Sequence, residues 1–183
     1  MTPKTQSEHA LICWFTGLSG AGKSTVAERV QRRLAEKCVR VLILDGDFVR
    51  EKMHRYLGFS APDIIENNRL IAEYCAKVRD RYDVILVPII SPYKSSRRHA
   101  RKVLEPHFYE IYCAANLTVV SERDVKGLYE KAVRGEVTNV IGFSPGSPYQ
   151  APSSPDLILD TGSETLVKSV EKLVRFIQAR LVH

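Results

Sequence analysis

An α/β domain with a mostly parallel five-stranded sheet and helices on both faces is the fold class that this sequence predicts. Three observations predict it. Apolar runs of strand length alternate with segments of helical periodicity. The first run, Ala10–Thr16, is apolar almost throughout, as a parallel strand covered on both faces must be. A glycine-rich turn follows that run and leads directly into a helical pattern.

The elements follow in order. After Gly17–Gly22, the residues Val26, Val30 and Leu34 recur on one helical face. Val41–Leu44 reads as a second strand, ending at Asp45-Gly46-Asp47. Val84–Val87, Phe108–Cys113 and the short Leu157–Leu159 read as the third, fourth and fifth. Helices fit between them at about 63–80, 94–104 and 117–134. In the last helix Leu166, Val170, Leu173, Val174, Ile177 and Leu181 make one apolar stripe. Thr161 and Glu164 are expected to form a capping box at its start. Right-handed crossovers put all strand C-termini on one edge, where ligands bind.

The chain has 183 residues and is read as a single domain over 1–183. With 44% hydrophobic and 26% charged residues it is not a disordered, collagenous, coiled-coil or disulfide-scaffold chain. Lys and Arg number 27 against 21 Asp and Glu, a formal charge of +6. That field suits either a nucleic-acid binder or an enzyme for anionic substrates. Cys13, Cys38, Cys75 and Cys113 contain no CxxC pair, so zinc and a redox dithiol are disfavoured. Four reduced thiols in a cytosolic core are expected instead. Residues 1–9 read as a polar, flexible tail, and the apolar run after them is too short for a signal-peptide core or a membrane span. A soluble cytoplasmic protein with no membrane partner is inferred. Four of the nine prolines fall in Ser144–Pro155. Between a helix and a strand of one domain, the stretch 136–155 is expected to be a lid-like loop closing over the site.

The most specific motif is Gly17-Leu18-Ser19-Gly20-Ala21-Gly22-Lys23-Ser24, which matches G-x-x-x-x-G-K-[ST] with a strand before it and a helix after. Glycines let the backbone curl so that N–H groups converge on phosphate oxygens, and the helix N-terminus adds partial positive charge. Lys23 is expected to reach the β- and γ-phosphates of ATP and the Ser24 hydroxyl to hold Mg²⁺. The domain is thus read as a P-loop NTPase fold. The guanine signature N-K-x-D is absent, and the length leaves little room for the extra elements of a motor, so a small kinase is favoured. Asp45 and Asp47 end the second strand beside this loop, where a carboxylate can take a proton from an attacking hydroxyl or bind a Mg²⁺ water. An ordinary D-G turn is the alternative.

GLSGAGKST, LDGDFVR at Leu44–Arg50, LGFS at Leu57–Ser60, ISPYK at Ile90–Lys94, RDVKGLYEKAVRGEV at Arg123–Val137 and SPYQAP at Ser147–Pro152 together resemble the adenylylsulfate kinase family. The matches run in family order from about 12 to 162. The resemblance implies transfer of the γ-phosphoryl of MgATP to the ribose 3′-hydroxyl of adenosine 5′-phosphosulfate, in a nucleotide-kinase type of fold whose members are often homodimers. It places Gly17, Gly20, Ala21, Gly22, Lys23, Ser24 and Thr25 on the ATP phosphates, with Arg123 close to ATP. It implies an acceptor site of Asp47, Arg50, Phe59, Asn67, Ile90, Ser91 and Lys126. Asp47 is the candidate general base, with Lys23 and Asp45 beside it in the catalytic set. Ser91 joins that set as the counterpart of a serine described as a phosphoenzyme intermediate, although in-line transfer between two bound nucleotides needs no covalent stop.

The chain departs from the family pattern at four places. Phe48 replaces the asparagine of D-G-D-N, Ile64 the arginine of D-R-x-E-N, Val140 and Ile141 the aromatic and threonine of F-T-G, and Val125 a proline. With Ser60 and Asp63 as a capping box, Phe59 and Ile64 take the two positions of a hydrophobic staple. A lost charge-assisted contact at 64 costs roughly 1.5–3 kcal/mol, and lost stacking at 140 about 1–3 kcal/mol. The alternative reading is therefore a paralogue acting on another nucleotide-linked anion, such as a cytidine-diphosphate conjugate. A nucleic-acid-binding P-loop protein is the remote alternative. Lys94, Arg97, Arg98, Arg101 and Lys102 form a basic run, expected as a solvated face with one or two phosphate contacts, but no aromatics interleave with it.

Overall fold

The computed structural model describes residues 9–52 and 55–181, except the side chains of Asp47, Phe48 and Lys52. The expected tail lies outside these residues apart from His9, whose ring Nδ1 sits 2.6 Å from an Asp80 carboxylate oxygen. His54 also lies outside them.

The strands are β1 (Leu11–Thr16), β2 (Val41–Ile43), β3 (Val84–Val87), β4 (Phe108–Cys113) and β5 (Leu157–Leu159). They form one sheet in the order β2-β3-β1-β4-β5 with every pairing parallel. The helices are α1 (Lys23–Ala35), α2 (Gly46–Lys52), α3 (Ala61–Val78), α4 (Lys94–Leu104), α5 (Leu117–Arg123), α6 (Leu128–Val133) and α7 (Leu166–Leu181). Central β1 is buried along its whole length because both of its faces are covered. Its period-two alternation divides the core. Leu11, Cys13 and Phe15 pack with the apolar faces of α1 and α7, while Ile12 and Trp14 pack with Ile71 and Cys75 of α3 and Ala100 and Leu104 of α4.

Four expectations need correction. The helix expected at 117–134 is two helices, because Asp124 (φ 22°) and Gly127 (φ 61°) turn the chain between α5 and α6. The alternative of an ordinary turn at Asp45-Gly46-Asp47 does not hold, because Gly46 begins α2. Thr161 and Glu164 make no capping box: α7 begins at Leu166, and the Thr165 hydroxyl accepts the Lys168 N–H at 3.3 Å. Glu164 instead accepts from the Ser169 hydroxyl and the Lys172 ammonium. Ser60 does cap α3, its hydroxyl accepting the Asp63 N–H at 3.3 Å, but the staple is not made. Phe59 is 66% exposed, under the Arg50 guanidinium, while Ile64 is buried with Tyr93 and Ile141.

The cysteines are all free, but only three lie in the core; Cys38 is exposed in the turn after α1. Burial pushes the Cys113 thiol up to about 12 and those of Cys13 and Cys75 higher still. A thiol reagent at neutral pH is therefore expected to modify Cys38 alone until denaturant is added. Rapid reaction of three or four thiols in the native protein contradicts this packing. Among the described residues no helix is long and apolar enough to cross a membrane.

Candidate active site

The site is built where β1, β3 and β4 end. The chain leaves β1 at Gly17, whose φ of 152° and close approach to the Cys113 carbonyl leave no room for a side chain: a Cβ would lie 2.7 Å from that oxygen. It enters α1 through Gly22 at φ 83°, a left-handed residue at the N-cap position with no side chain to cap the helix. The first-turn N–H groups of α1 are thus left for a ligand, at the positive end of the helix dipole. Lys23 is 8% exposed, and its ammonium donates to the carbonyls of Gly17 (3.0 Å) and Leu18 (2.7 Å). The Ser24 hydroxyl donates to Asp45 Oδ2 at 2.5 Å, which joins the phosphate loop to the end of β2. Tyr129 of α6 donates its hydroxyl to the Ser19 carbonyl at 2.9 Å. Burial, with Asp124 nearby, pushes the Tyr129 phenol up to about 12, so it remains a donor at neutral pH.

A cleft of about 250 Å³ extends from this loop across the strand edge. It is lined by Gly20, Gly22, Lys23, Ser24, Thr25 and Asp45 and also by Arg50, Phe59, Asn67, Ile90, Ser91 and Lys126. These residues, far apart in sequence, therefore meet in one cavity. The backbone of Asp47 lies in α2, beside Asp45, and its side chain is outside what the structure describes. Arg50 donates to the carbonyls of Leu57 (3.3 Å) and Gly58 (2.6 Å), and its guanidinium carbon lies 4.5 Å from the centre of the Phe59 ring. Gly17 and Ala21 belong to the loop but do not line the cleft. Arg123 does not line it either; it is exposed and donates to the Thr161 carbonyl at 2.7 Å. Among the described residues the buried Thr161 hydroxyl has no hydrogen-bond partner.

Ser91 has a left-handed backbone, φ 42°, which costs a non-glycine residue about 1–3 kcal/mol. The surroundings fix it. Its hydroxyl accepts from Trp14 Nε1 (3.0 Å) and Asn68 Nδ2 (3.2 Å). Its carbonyl accepts from the Thr16 hydroxyl (3.1 Å) and Arg97 Nη1 (2.7 Å). The side chain is 1% exposed.

Several site residues were not singled out by sequence reasoning. Asn68 adjoins the Asn67 that was. Asp124 also lines the cleft, and its carboxylate receives the N–H groups of Tyr129 (3.1 Å) and Glu130 (2.9 Å). Desolvation pushes that carboxyl up, but the backbone donors outweigh it and hold it below the usual range. Arg97 and Arg101 correct the expectation of a solvated basic face. Arg97 is 3% exposed and bonds Glu110, while Arg101 pairs with Asp156 at 2.6 Å. Lys94, Arg98 and Lys102 are exposed as expected. Val140, compared above with a base-stacking aromatic, is buried in the core cluster that also holds Leu18 and Tyr129, and Ile141 is the residue that reaches the cleft.

A cleft that brings a phosphate loop together with polar and apolar side chains from distant segments of a parallel α/β fold defines a P-loop phosphotransferase. The particular family follows from comparison with known proteins. The adenylylsulphate kinase family model matches residues 9–160. An adenylyl-sulfate kinase of Halothermothrix orenii is 44% identical over 176 residues, covering 96% of this chain and 93% of its own length. One of Acaryochloris marina is 43% identical over 170 residues, covering 92% and 82%. The solved structure of the Mycobacterium tuberculosis APS kinase in complex with AMPPNP and APS is similar with a TM-score of 0.86 at 38% identity, covering 94% of this chain and 99% of that one. This chain belongs to the adenylylsulphate kinase family.

Proposed function

We propose that this protein transfers the γ-phosphoryl group of ATP to the ribose 3′-hydroxyl of adenosine 5′-phosphosulfate, giving 3′-phosphoadenosine 5′-phosphosulfate. The observation that carries the reading is the single cleft that joins the phosphate loop to an anion-ready lobe with Arg50, Asn67 and Lys126. ATP lies on Gly17–Thr25, its phosphates held by first-turn N–H groups and Lys23. Arg123, outside the cleft lining and bonded to the Thr161 carbonyl, is the residue taken to lie near the adenosine end. The acceptor lies between Arg50 and Phe59 on one side and Ile90 and Ser91 on the other.

Asp47 orients the acceptor hydroxyl and takes its proton. Lys23 and the loop N–H groups stabilise charge on the transferring phosphoryl. The Ser24 hydroxyl and the Asp45 carboxylate are adjacent hard oxygen donors, a set that fits Mg²⁺, which ordinarily takes one or two carboxylates with phosphate and water oxygens. Mg²⁺ held there would neutralise the phosphate oxygens during transfer. Ser91 shapes the acceptor wall: its hydroxyl is buried and already accepts two N–H donors, which argues for in-line transfer with no phosphoserine. The segment 136–155 excludes water from the cleft, with Ile141 against Ile64 and Tyr93 at its mouth. The protein works in the cytoplasm.

An acceptor panel tests this reading. ADP release is measured with adenosine 5′-phosphosulfate, AMP, CMP and a cytidine-diphosphate conjugate. A kcat/KM at least 10²-fold higher for the first is expected, because the others lack its sulfuryl anion or its base. Activity with a cytidine compound and none with adenosine 5′-phosphosulfate overturns it.

A further inference from the structure

Arg97 is the most enclosed cation in the described structure that the proposed chemistry leaves unused. It lies on α4, outside the cleft, yet its guanidinium joins three separate elements. Nε donates to Glu110 Oε1 of β4 at 2.5 Å, Nη1 to the Ser91 carbonyl at 2.7 Å, and Nη2 to the Gln150 carbonyl at 2.6 Å. Glu110 is itself nearly buried, so the ion pair orients the guanidinium plane rather than merely decorating a surface.

The two carbonyls belong to the working parts of the site. Ser91 is the strained residue of the acceptor wall. Gln150 lies on the returning arm of the segment over the cleft, and that arm is fixed at several further points. Tyr149 shares a hydrogen bond with the Thr16 hydroxyl at 2.9 Å, the Gln150 N–H donates to the Pro92 carbonyl at 2.9 Å, and Gln150 Oε1 accepts the Lys94 N–H at 2.8 Å. Thr16 in turn donates to the carbonyls of Ile90 and Ser91. Wall and arm are therefore one hydrogen-bonded unit with Arg97 at its centre.

We propose that Arg97 is a positioning residue for acceptor binding: its three charge-assisted bonds hold Ser91 in its left-handed conformation and tie the 149–150 arm to the acceptor wall. The inference rests on the kinase reading above and adds a residue that touches neither nucleotide. Its loss loosens the acceptor lobe and the cover over it together, and leaves the phosphate loop as it is. Weaker acceptor binding and a larger share of ATP lost to water follow from the same change.

The test compares Arg97→Lys with the wild type, measuring KM for each substrate and ADP released per acceptor phosphorylated. Lysine keeps the positive charge for Glu110 but has no planar fork to reach both carbonyls. A rise of at least tenfold in acceptor KM is expected, with ATP KM within twofold and more ADP released per product. Arg97→Met leaves the nearly buried Glu110 with only the longer 4.0 Å pair to Arg101 and is expected to lower Tm; adding Glu110→Gln is expected to restore Tm but not acceptor KM. Should Arg97→Lys not fold, Tyr149→Phe loosens the same arm without touching a buried charge and carries the same expectation at severalfold size. An unchanged acceptor KM, an equal rise in both KM values, or recovery of acceptor KM along with Tm overturns the proposal. A wild-type enzyme inactive with adenosine 5′-phosphosulfate instead overturns the kinase reading itself.

Discussion

Lys23→Ala is expected to lower turnover by roughly 10³-fold or more while the fold survives. A preplaced donor aimed at developing charge is worth about 10²–10³-fold in a water-excluded site, and here the donor carries a full charge. The structure shows how it is preplaced. The ammonium is nearly buried and is held by the carbonyls of Gly17 and Leu18, at the mouth of the same loop that presents its N–H groups. Little reorganisation is then needed when ATP arrives. The same geometry limits the damage to stability. Alanine leaves two carbonyls short of one donor, a cost of about 1–3 kcal/mol, in a loop that nucleotide can reach. Thermal unfolding should show a modest drop in Tm beside the collapse in rate. Near-wild-type turnover would remove the phosphate loop from the chemistry.

The second large effect separates the two aspartates. Asp45→Asn is expected to raise the Mg²⁺ concentration for half-maximal rate by about 10–100-fold, the usual consequence of losing a partner that orients a metal's ligands. The reason is the 2.5 Å bond from the Ser24 hydroxyl to Asp45, which an amide replaces without charge. Asp47→Asn is expected to lower kcat by about 10²–10⁴-fold, the range for a general base, with little change in ATP KM or in the Mg²⁺ requirement. Titrating Mg²⁺ and ATP in both variants distinguishes them. A Mg²⁺ shift in the Asp47 variant, or none in the Asp45 variant, would exchange or cancel the two roles.

Much of this site was legible in the sequence because its phosphate end is encoded locally. Gly17 to Ser24 are contiguous, each glycine is set by one turn, and the strand and helix on either side are strongly patterned. The sheet was legible for the same reason, since β1 and β3 are buried on both faces and read as unbroken apolar runs. The acceptor end depends on tertiary contacts, and there local rules misled. The sequence spacing of Phe59 and Ile64 fits a staple, but Ile64 finds a drier partner in Ile141, some eighty residues on, and Phe59 finds a cation. The run from Lys94 to Lys102 looks uniform as composition. Only packing against β4 divides it into exposed Lys94, Arg98 and Lys102 and the enclosed Arg97. The break between α5 and α6 had a local signal in Asp124 and Gly127, outweighed by the apolar periodicity across it.

The departures that raised the question of another acceptor look different once placed. Val140 is buried in the core, where an aromatic in place of valine would overpack at a cost of about 1–3 kcal/mol. Ile64 and Ile141 pack together among the residues that line the cleft.

The fate of one phosphoryl group distinguishes a kinase from an ATPase. The measurement is the mass and the phosphorylated position of the nucleotide formed when the protein turns over ATP with adenosine 5′-phosphosulfate. One phosphoryl added per ADP released, removable by a 3′-nucleotidase, is the predicted result. ADP formed with inorganic phosphate while the acceptor stays unmodified, or a phosphoryl found at any other position, would contradict it.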